Sequence, residues 1–143
     1  MRAVVQRVSR ATVRVDGETV ADIGAGLCVL LGVAHGDAAA DADRMAGKVA
    51  RLRIFPDADG RFERSLLDTR GAALVVSQFT LIADTEKGNR PSFTGAAPAV
   101  EAEAVYEHFC NGLAALDVPV QRGVFGARME VELVNDGPVT IVL

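Results

Sequence analysis

The sequence predicts a β-rich, mixed α+β domain in which two helices cover one face of a sheet. Three observations predict it. Residues 27–33, Leu27-Cys28-Val29-Leu30-Leu31-Gly32-Val33, are apolar without a break, as a strand buried on both faces must be. Residues 11–17 and 128–133 alternate apolar and polar side chains, the period of a half-buried strand. Residues 38–54 and the stretch after Pro98 space their apolar side chains three and four apart, as amphipathic helices do. Strands, helix, strand, helix and strands in that order make a sheet packed under helices.

The 143 residues fit one domain, 1–143, with a core of its own. Half of them are hydrophobic and 24% charged, a globular balance and not a disordered one. Trp is absent and only 5% are aromatic, so Val, Leu, Ile and Ala must build the core. The net charge of −4 argues against a protein that coats nucleic acid. It leaves room for a local basic patch, or for a site that grips one end of an RNA.

Taken in order, residues 3–8 read as a first strand and 11–17 as a second. Asp16-Gly17 marks a hairpin turn, because Gly accepts the positive φ such turns require. Residues 19–23 return as its partner. Arg2, Arg7, Arg10 and Arg14 all precede the first acidic residue, as a solvated charged face or an RNA-facing patch. The buried strand 27–33 ends at His35-Gly36-Asp37, with Asp37 placed to cap the helix over 38–54. Ala42, Met45, Val49 and Leu52 form the apolar stripe of that helix.

Pro56-Asp57-Ala58-Asp59-Gly60 is a turn that lacks the further ligands and closing Glu of a calcium loop. Residues 62–67 fit either periodicity. Leu74-Val75-Val76 begins another buried strand, read as continuing through Ser77-Gln78-Phe79-Thr80-Leu81. Its polar end is either a hydrogen-bonded patch or the floor of a site. Gly88, Asn89 and Pro91 make residues 82–93 a loop, in which Lys87 and Arg90 would suit an anion. Pro98 opens the second helix, with Ala102, Val105, Phe109, Leu113 and Leu116 as its stripe and His108 beside it. Met129, Val131 and Leu133 alternate as a strand, Asn135-Asp136-Gly137-Pro138 turns, and residues 139–143 close the sheet.

Most familiar chemistries lack their residues. Cys28 and Cys110 have neither disulfide-framework nor zinc spacing, and both read as buried hydrophobes. No Ser/His/Asp or Cys/His set assembles, and there is no Gly-x-Ser-x-Gly elbow, P-loop or dinucleotide fingerprint. The N-terminus does not read as a signal peptide, and no segment holds the eighteen or so apolar residues of a membrane span. The expected compartment is the cytoplasm. An enzyme built this way works by positioning, backbone donors and its substrate's own groups.

Gln6-Arg7-Val8, Ser77-Gln78-Phe79-Thr80-Leu81, Ala83-Asp84-Thr85, Arg90-Pro91-Ser92-Phe93 and Asn135-Asp136-Gly137-Pro138-Val139-Thr140 occur in order across the whole chain. Together they resemble the D-aminoacyl-tRNA deacylase (D-tyrosyl-tRNA deacylase) family. The resemblance implies β/β/α layers and a homodimer with its active sites at the subunit interface. It implies hydrolysis of the ester between a D-amino acid and the 3′-terminal adenosine of tRNA, as proofreading in translation. The partner would be tRNA, with no DNA or membrane, and no cofactor or metal would be needed.

The same resemblance assigns residues. Ser77, Gln78, Phe79 and Thr80 would form the catalytic strand end, with Phe79 near the terminal adenine. Gly137 and Pro138, joined by a cis peptide, would enter the partner subunit's site and reject L side chains with their backbone. Glycine would escape that filter, so glycyl-tRNA(Ala) is an expected substrate. Arg7 would brace the Gly-Pro segment, Met129 would line the pocket, and Pro91, Ser92 and Phe93 would support it. Arg61-Phe62-Glu63-Arg64-Ser65-Leu66 departs from the Met-Asn-containing segment usual in the family, which bears on any contact made there. Two other readings stand beside this one: a non-catalytic module for tRNA 3′ ends, and an editing enzyme of relaxed chirality with a trans Gly-Pro bond.

Overall fold

The longest element of the chain is its first strand, and it supports most of the others. The structure, a computed structural model, describes residues 1–143. In chain order its elements are β1 (Arg2–Val15), β2 (Glu18–Ile23), β3 (Gly26–Gly32), α1 (Ala39–Arg51), β4 (Phe55–Pro56), β5 (Phe62–Arg64), α2 (Leu66–Thr69), β6 (Ala72–Ser77), α3 (Ala99–Ala115), β7 (Val120–Arg122) and β8 (Glu130–Val142). A 3-10 turn, Phe79–Ile82, follows β6. The main sheet runs β2-β1-β3-β6-β7, and β8 also pairs with β1. β4 and β5 form a separate small ribbon.

Alternation along the strands explains the layers. Ala3 and Val5 of β1, Leu27, Val29 and Leu31 of β3, and Ala73 and Val75 of β6 share one face. Against them pack Ala42, Ala46 and Val49 of α1 and Val105, Phe109 and Leu113 of α3. The opposite face of β3 and β6 carries Cys28, Leu74 and Val76, which need cover of their own. Val8, Ala11 and Val13 of β1, with Ala21 and Ile23 of β2, supply it. The result is helix on sheet on sheet, with α1 and α3 as the two main helices. No helix is long and apolar enough to cross a membrane.

Several elements differ from their sequence-predicted bounds. Residues 2–15 form one strand where two were predicted. The β1–β8 register shifts between Val8 and Arg10, and such bulges let a strand bend without ending. Asp37 does not cap α1: its carboxylate accepts the Ala34 N–H at 2.7 Å and pairs with the N-terminal amine at 2.7 Å. The cap position is Ala38, whose N–H donates to Asp41 at 2.8 Å. That bond, more than nearby Arg44, holds the Asp41 carboxyl below its ordinary range. The ambiguous 62–67 stretch splits into β5 and the short helix α2, capped by Ser65 and Asp68. The polar residues after Ser77 leave the sheet instead of extending the strand. Asn135–Pro138 is no free turn but a bulged part of β8.

The parallel β3–β6 pair is the spine of the site, and it is unusually close at one point. A Cβ on Gly26 would stand 1.9 Å from the Ala72 carbonyl oxygen. Gly26→Ala is therefore expected to cost at least about 3 kcal/mol, read as a lower urea midpoint.

Candidate active site

Ser77 is the last residue of β6 and lies level with Leu31 of β3 and, through it, Ala3 of β1. Beyond it the chain turns sharply. The Gln78 N–H donates to the Leu31 carbonyl at 2.8 Å, and the Gln78 carbonyl accepts the Leu81 N–H at 3.2 Å. These two bonds convert the strand into the 3-10 turn. The Phe79 and Thr80 amides open that turn, where N–H groups have no acceptor within the helix. Gly32 makes room for it: a Cβ there would lie 2.9 Å from the Gln78 carbonyl oxygen and 3.0 Å from Leu81 Cβ.

A cavity of about 530 Å³ opens at this strand end. Ser77, Gln78, Phe79 and Met129 line it, together with Val33, Val76 and Val131. Ala96, Ala97, Ala99 and Ala102 form one wall, and Phe125, Gly126 and Ala127 another. Sequence reasoning missed the first wall, and it missed the second. Its only signal was an aromatic between two glycines, Gly123-Val124-Phe125-Gly126. Phe125 is fixed by Tyr106, ring centroids 5.8 Å apart, and Tyr106 donates to the Val75 carbonyl at 2.9 Å.

Thr80 is exposed and does not line the cavity. Its Oγ1 accepts a hydrogen bond from the Gln78 amide, and no acidic or basic side chain bonds to it. The Phe79 ring is 56% exposed and meets Phe93 edge-on at 5.1 Å. Ser92 closes the following loop by pairing its backbone with Asp84, 2.8 Å in both directions, while Pro91 stays on the surface. Lys87 and Arg90 on that loop form no ion pair. Burial pushes the Cys28 and Cys110 thiols up to about 11, so neither is a thiolate nucleophile near neutral pH.

Gly137, Pro138 and Arg7 form a second cluster away from the cavity. Arg7 is only 8% exposed. Its Nε donates to the Asp136 carbonyl at 3.0 Å and its Nη1 to the Ile54 carbonyl at 2.7 Å. The guanidinium also lies 5.6 Å from the centroid of the Phe62 ring, a cation–π contact. Gly137 and Pro138 are exposed, their peptide is cis, and Gly137 has φ +133°. Asn135 stands level with Val8, five residues along β1 from Ala3. At ~3.3 Å per residue that separates this cluster from Ser77 by roughly 16 Å along the strands. One chain therefore does not bring Gly137 to its own cavity.

The N-terminal arginines do not form an open patch. Arg2 donates to the Leu81 carbonyl at 3.1 Å, Arg7 is buried, and Arg10 and Arg14 share Glu132 at 2.9 and 2.8 Å. Those two hydrogen bonds hold the Glu132 carboxyl below its ordinary range. His108 Nε2 donates to the Asp43 carboxylate at 2.9 Å, linking α3 to α1.

The family model described as D-Tyr-tRNA(Tyr) deacylase matches residues 4–143. The chain belongs to that family. It is 60% identical over 141 residues to the D-aminoacyl-tRNA deacylase of Ruegeria pomeroyi, covering 99% of this chain and 97% of the relative. It is 59% identical over 143 residues to that of Thermomicrobium roseum, covering 100% and 93%. Among solved structures, one described as c-Myc DNA Unwinding Element Binding Protein superposes with a TM-score of 0.93 at 44% identity, over 100% of this chain and 97% of that one. Another, described as a "probable eukaryotic D-amino acid tRNA deacylase", gives 0.84 at 18% identity over 99% and 97%, a likeness of fold alone.

The deacylase family gives the Gly32 contact a measurable consequence. Gly32→Ala should push the 3-10 turn off the strand end. A displacement near 1 Å is expected to cost about 100-fold in deacylation rate, with far less effect on the melting temperature.

Proposed function

We propose that the chain deacylates D-aminoacyl-tRNA in its Ser77–Thr80 cavity, with Gly137 and Pro138 supplied by a second copy of the chain. The observation that carries this reading is the separation of the two clusters in a chain of this family. The polar strand end and its cavity lie at one end of the sheet, and the exposed Gly-Pro segment lies at the other. A homodimer that exchanges these segments completes both sites at once.

In this mechanism the terminal adenosine packs beside Phe79 and the aminoacyl group enters the cavity past Met129. The Gly137 and Pro138 carbonyl oxygens hold the substrate amino group. An L side chain then meets main chain, and a D side chain points outward. Rejection by exclusion lets one site serve many amino acids. Glycine lacks the atom that is rejected, so glycyl-tRNA(Ala) is a substrate as well.

Water attacks the ester carbonyl, assisted by the ribose 2′-hydroxyl. The ester C–O bond breaks, giving free amino acid and tRNA with its 3′-terminal hydroxyl restored. The Phe79 and Thr80 amides receive the developing oxyanion, and one well-placed donor of this kind supplies roughly 3–4 kcal/mol. Thr80 is a poor nucleophile here: its oxygen accepts from Gln78 and has no base to take its proton. Arg7 is proposed to brace the Gly-Pro segment through Asp136. Pro91, Ser92 and Phe93 support the adenine side through the Phe79–Phe93 contact.

Purified protein should hydrolyse D-tyrosyl-tRNA and glycyl-tRNA(Ala) while leaving L-tyrosyl-tRNA intact. Binding without turnover of the D ester would leave only a tRNA 3′-end module. Thr80→Ala should keep activity within about tenfold, and its complete loss with intact tRNA binding would restore the hydroxyl as nucleophile. A Cβ at Gly137 would stand 2.9 Å from Val139 Cγ2 and 3.0 Å from its backbone nitrogen. Gly137→Ala should therefore weaken L-ester rejection or dimerisation, read by L-tyrosyl-tRNA hydrolysis and sedimentation, more than it lowers subunit stability.

A further inference from the structure

The chain is acidic overall, yet α1 presents a run of cations along one side. Arg44, Lys48 and Arg51 follow one another at spacings of four and three, so they share a face, and Arg53 extends the run past the helix end. All four are exposed and border one shallow groove. The only acid in that groove, Asp43, is engaged by His108. Arg44 pairs with Asp41, Arg53 with Glu63 at 3.1 Å, and Arg51 donates to the Gly47 carbonyl at 3.2 Å. Lys48 and Arg51 have no carboxylate partner. The helix dipole favours cations in the last turn, which accounts for Lys48 and Arg51 but not for Arg44 or Arg53.

The run also has a direction. It ends at Arg53, next to Ile54, whose carbonyl accepts from Arg7, and Arg7 holds Asp136 beside Gly137. The Arg53 end of the run and the Gly-Pro segment are thus neighbours, while Arg44 and Lys48 lie back along the helix toward Met1 and Leu143. In a dimer that carries Gly137 into the second subunit's cavity, the Arg53 end of the run would come toward the rim of that cavity, and the rest would lead away from it along α1. From Arg44 to Arg51 it spans about 10 Å of helix, room for two or three backbone phosphates.

We propose that this face of α1 receives acceptor-arm phosphates of the tRNA whose 3′ end occupies the other subunit's cavity. The inference rests on the deacylase reading and adds which surface binds the RNA. The N-terminal arginines are poorer candidates: Arg2 and Arg7 donate to main-chain carbonyls far along the chain and Arg10 and Arg14 share Glu132, whereas Lys48 bonds no protein group and Arg51 only the Gly47 carbonyl of its own helix. Phosphate contacts of this kind position the RNA without reading its sequence.

The test compares the parent protein with Lys48→Gln/Arg51→Gln and with the charge-conserving Lys48→Arg/Arg51→Lys. Each is assayed for tRNA affinity as a function of salt, and for hydrolysis of D-tyrosyl-tRNA and of D-tyrosyl-adenosine, which has no acceptor arm. The neutral pair should weaken tRNA binding about tenfold and flatten the log–log salt slope by about two, one per phosphate contact. It should raise KM for D-tyrosyl-tRNA, leave kcat within twofold, and hydrolyse D-tyrosyl-adenosine like the parent. The charge-conserving pair should match the parent throughout. Unchanged tRNA affinity and salt slope in the neutral pair would overturn the proposal, as would equal loss in the charge-conserving pair. A parent inactive on both esters would defeat the deacylase reading instead, and the tRNA-binding comparison would still decide the role of α1.

Discussion

A buried arginine decides where the Asn135–Pro138 segment sits. Taking a guanidinium out of water is costly unless its N–H groups find acceptors. Arg7 finds two carbonyls, at Ile54 and Asp136, that are far apart in the sequence. Phe62 adds a ring beneath the charge, although it is itself 52% exposed. The Asp136 carboxylate, 3.4 Å away, adds attraction without full burial. Removing any one partner leaves a charge in the protein with fewer donors satisfied. The bulge in β8 is therefore anchored to the inside of the fold, while the glycine and proline just beyond it remain on the surface.

The other half of the proposed site is built on the opposite logic. Around the cavity, ionisable side chains are scarce, and the polar groups are Ser77, Gln78 and main-chain amides. Such donors cannot be deprotonated and need not reorganise, which suits stabilisation of a transient charge more than proton transfer. Their placement is set by packing. Gly32 lets the 3-10 turn touch β3, and Tyr106 fixes both Phe125 and the Val75 carbonyl at the root of the strand. Rigid scaffold and unreactive lining are compatible because the bond to be cut, an aminoacyl ester, is already labile.

How far the sequence reveals this follows from which forces are local. The unbroken run 27–33 and the helical spacings of Val105, Phe109 and Leu113 are read directly, because burial imposes them residue by residue. The bend in β1 is not legible, since a bulge leaves the alternation almost intact and depends on where β8 docks. Asp37 resembles a cap from its position, but the N-terminal amine competes for its carboxylate, a contact between residues 36 apart that no local rule contains. The wall formed by Phe125–Ala127 is hidden for a similar reason: short segments around β7 become structured only by lying against β6 and α3. Ser77 and Gln78 were legible as polar residues ending a buried strand. Their partners across the cavity were not.

The Arg61–Leu66 stretch, where the sequence reading expects a departure from the family pattern, is held by contacts of its own. Phe62 packs under Arg7, Glu63 reaches Arg53, and Ser65 caps α2 with Asp68. Each of these contacts is satisfied within the chain, and none touches the cavity of the same chain. Phe62 and Arg53 nevertheless flank the residues that hold the Gly-Pro segment. Under the proposed dimer, variation here would act on the element offered to the second subunit and leave the Ser77–Thr80 strand end unaffected. The proposed dimer would separate the two tasks in this way: the Arg7–Gly137 cluster could vary in how it presents its backbone and its charge, and the Ser77–Thr80 strand end would keep the geometry that the reaction needs.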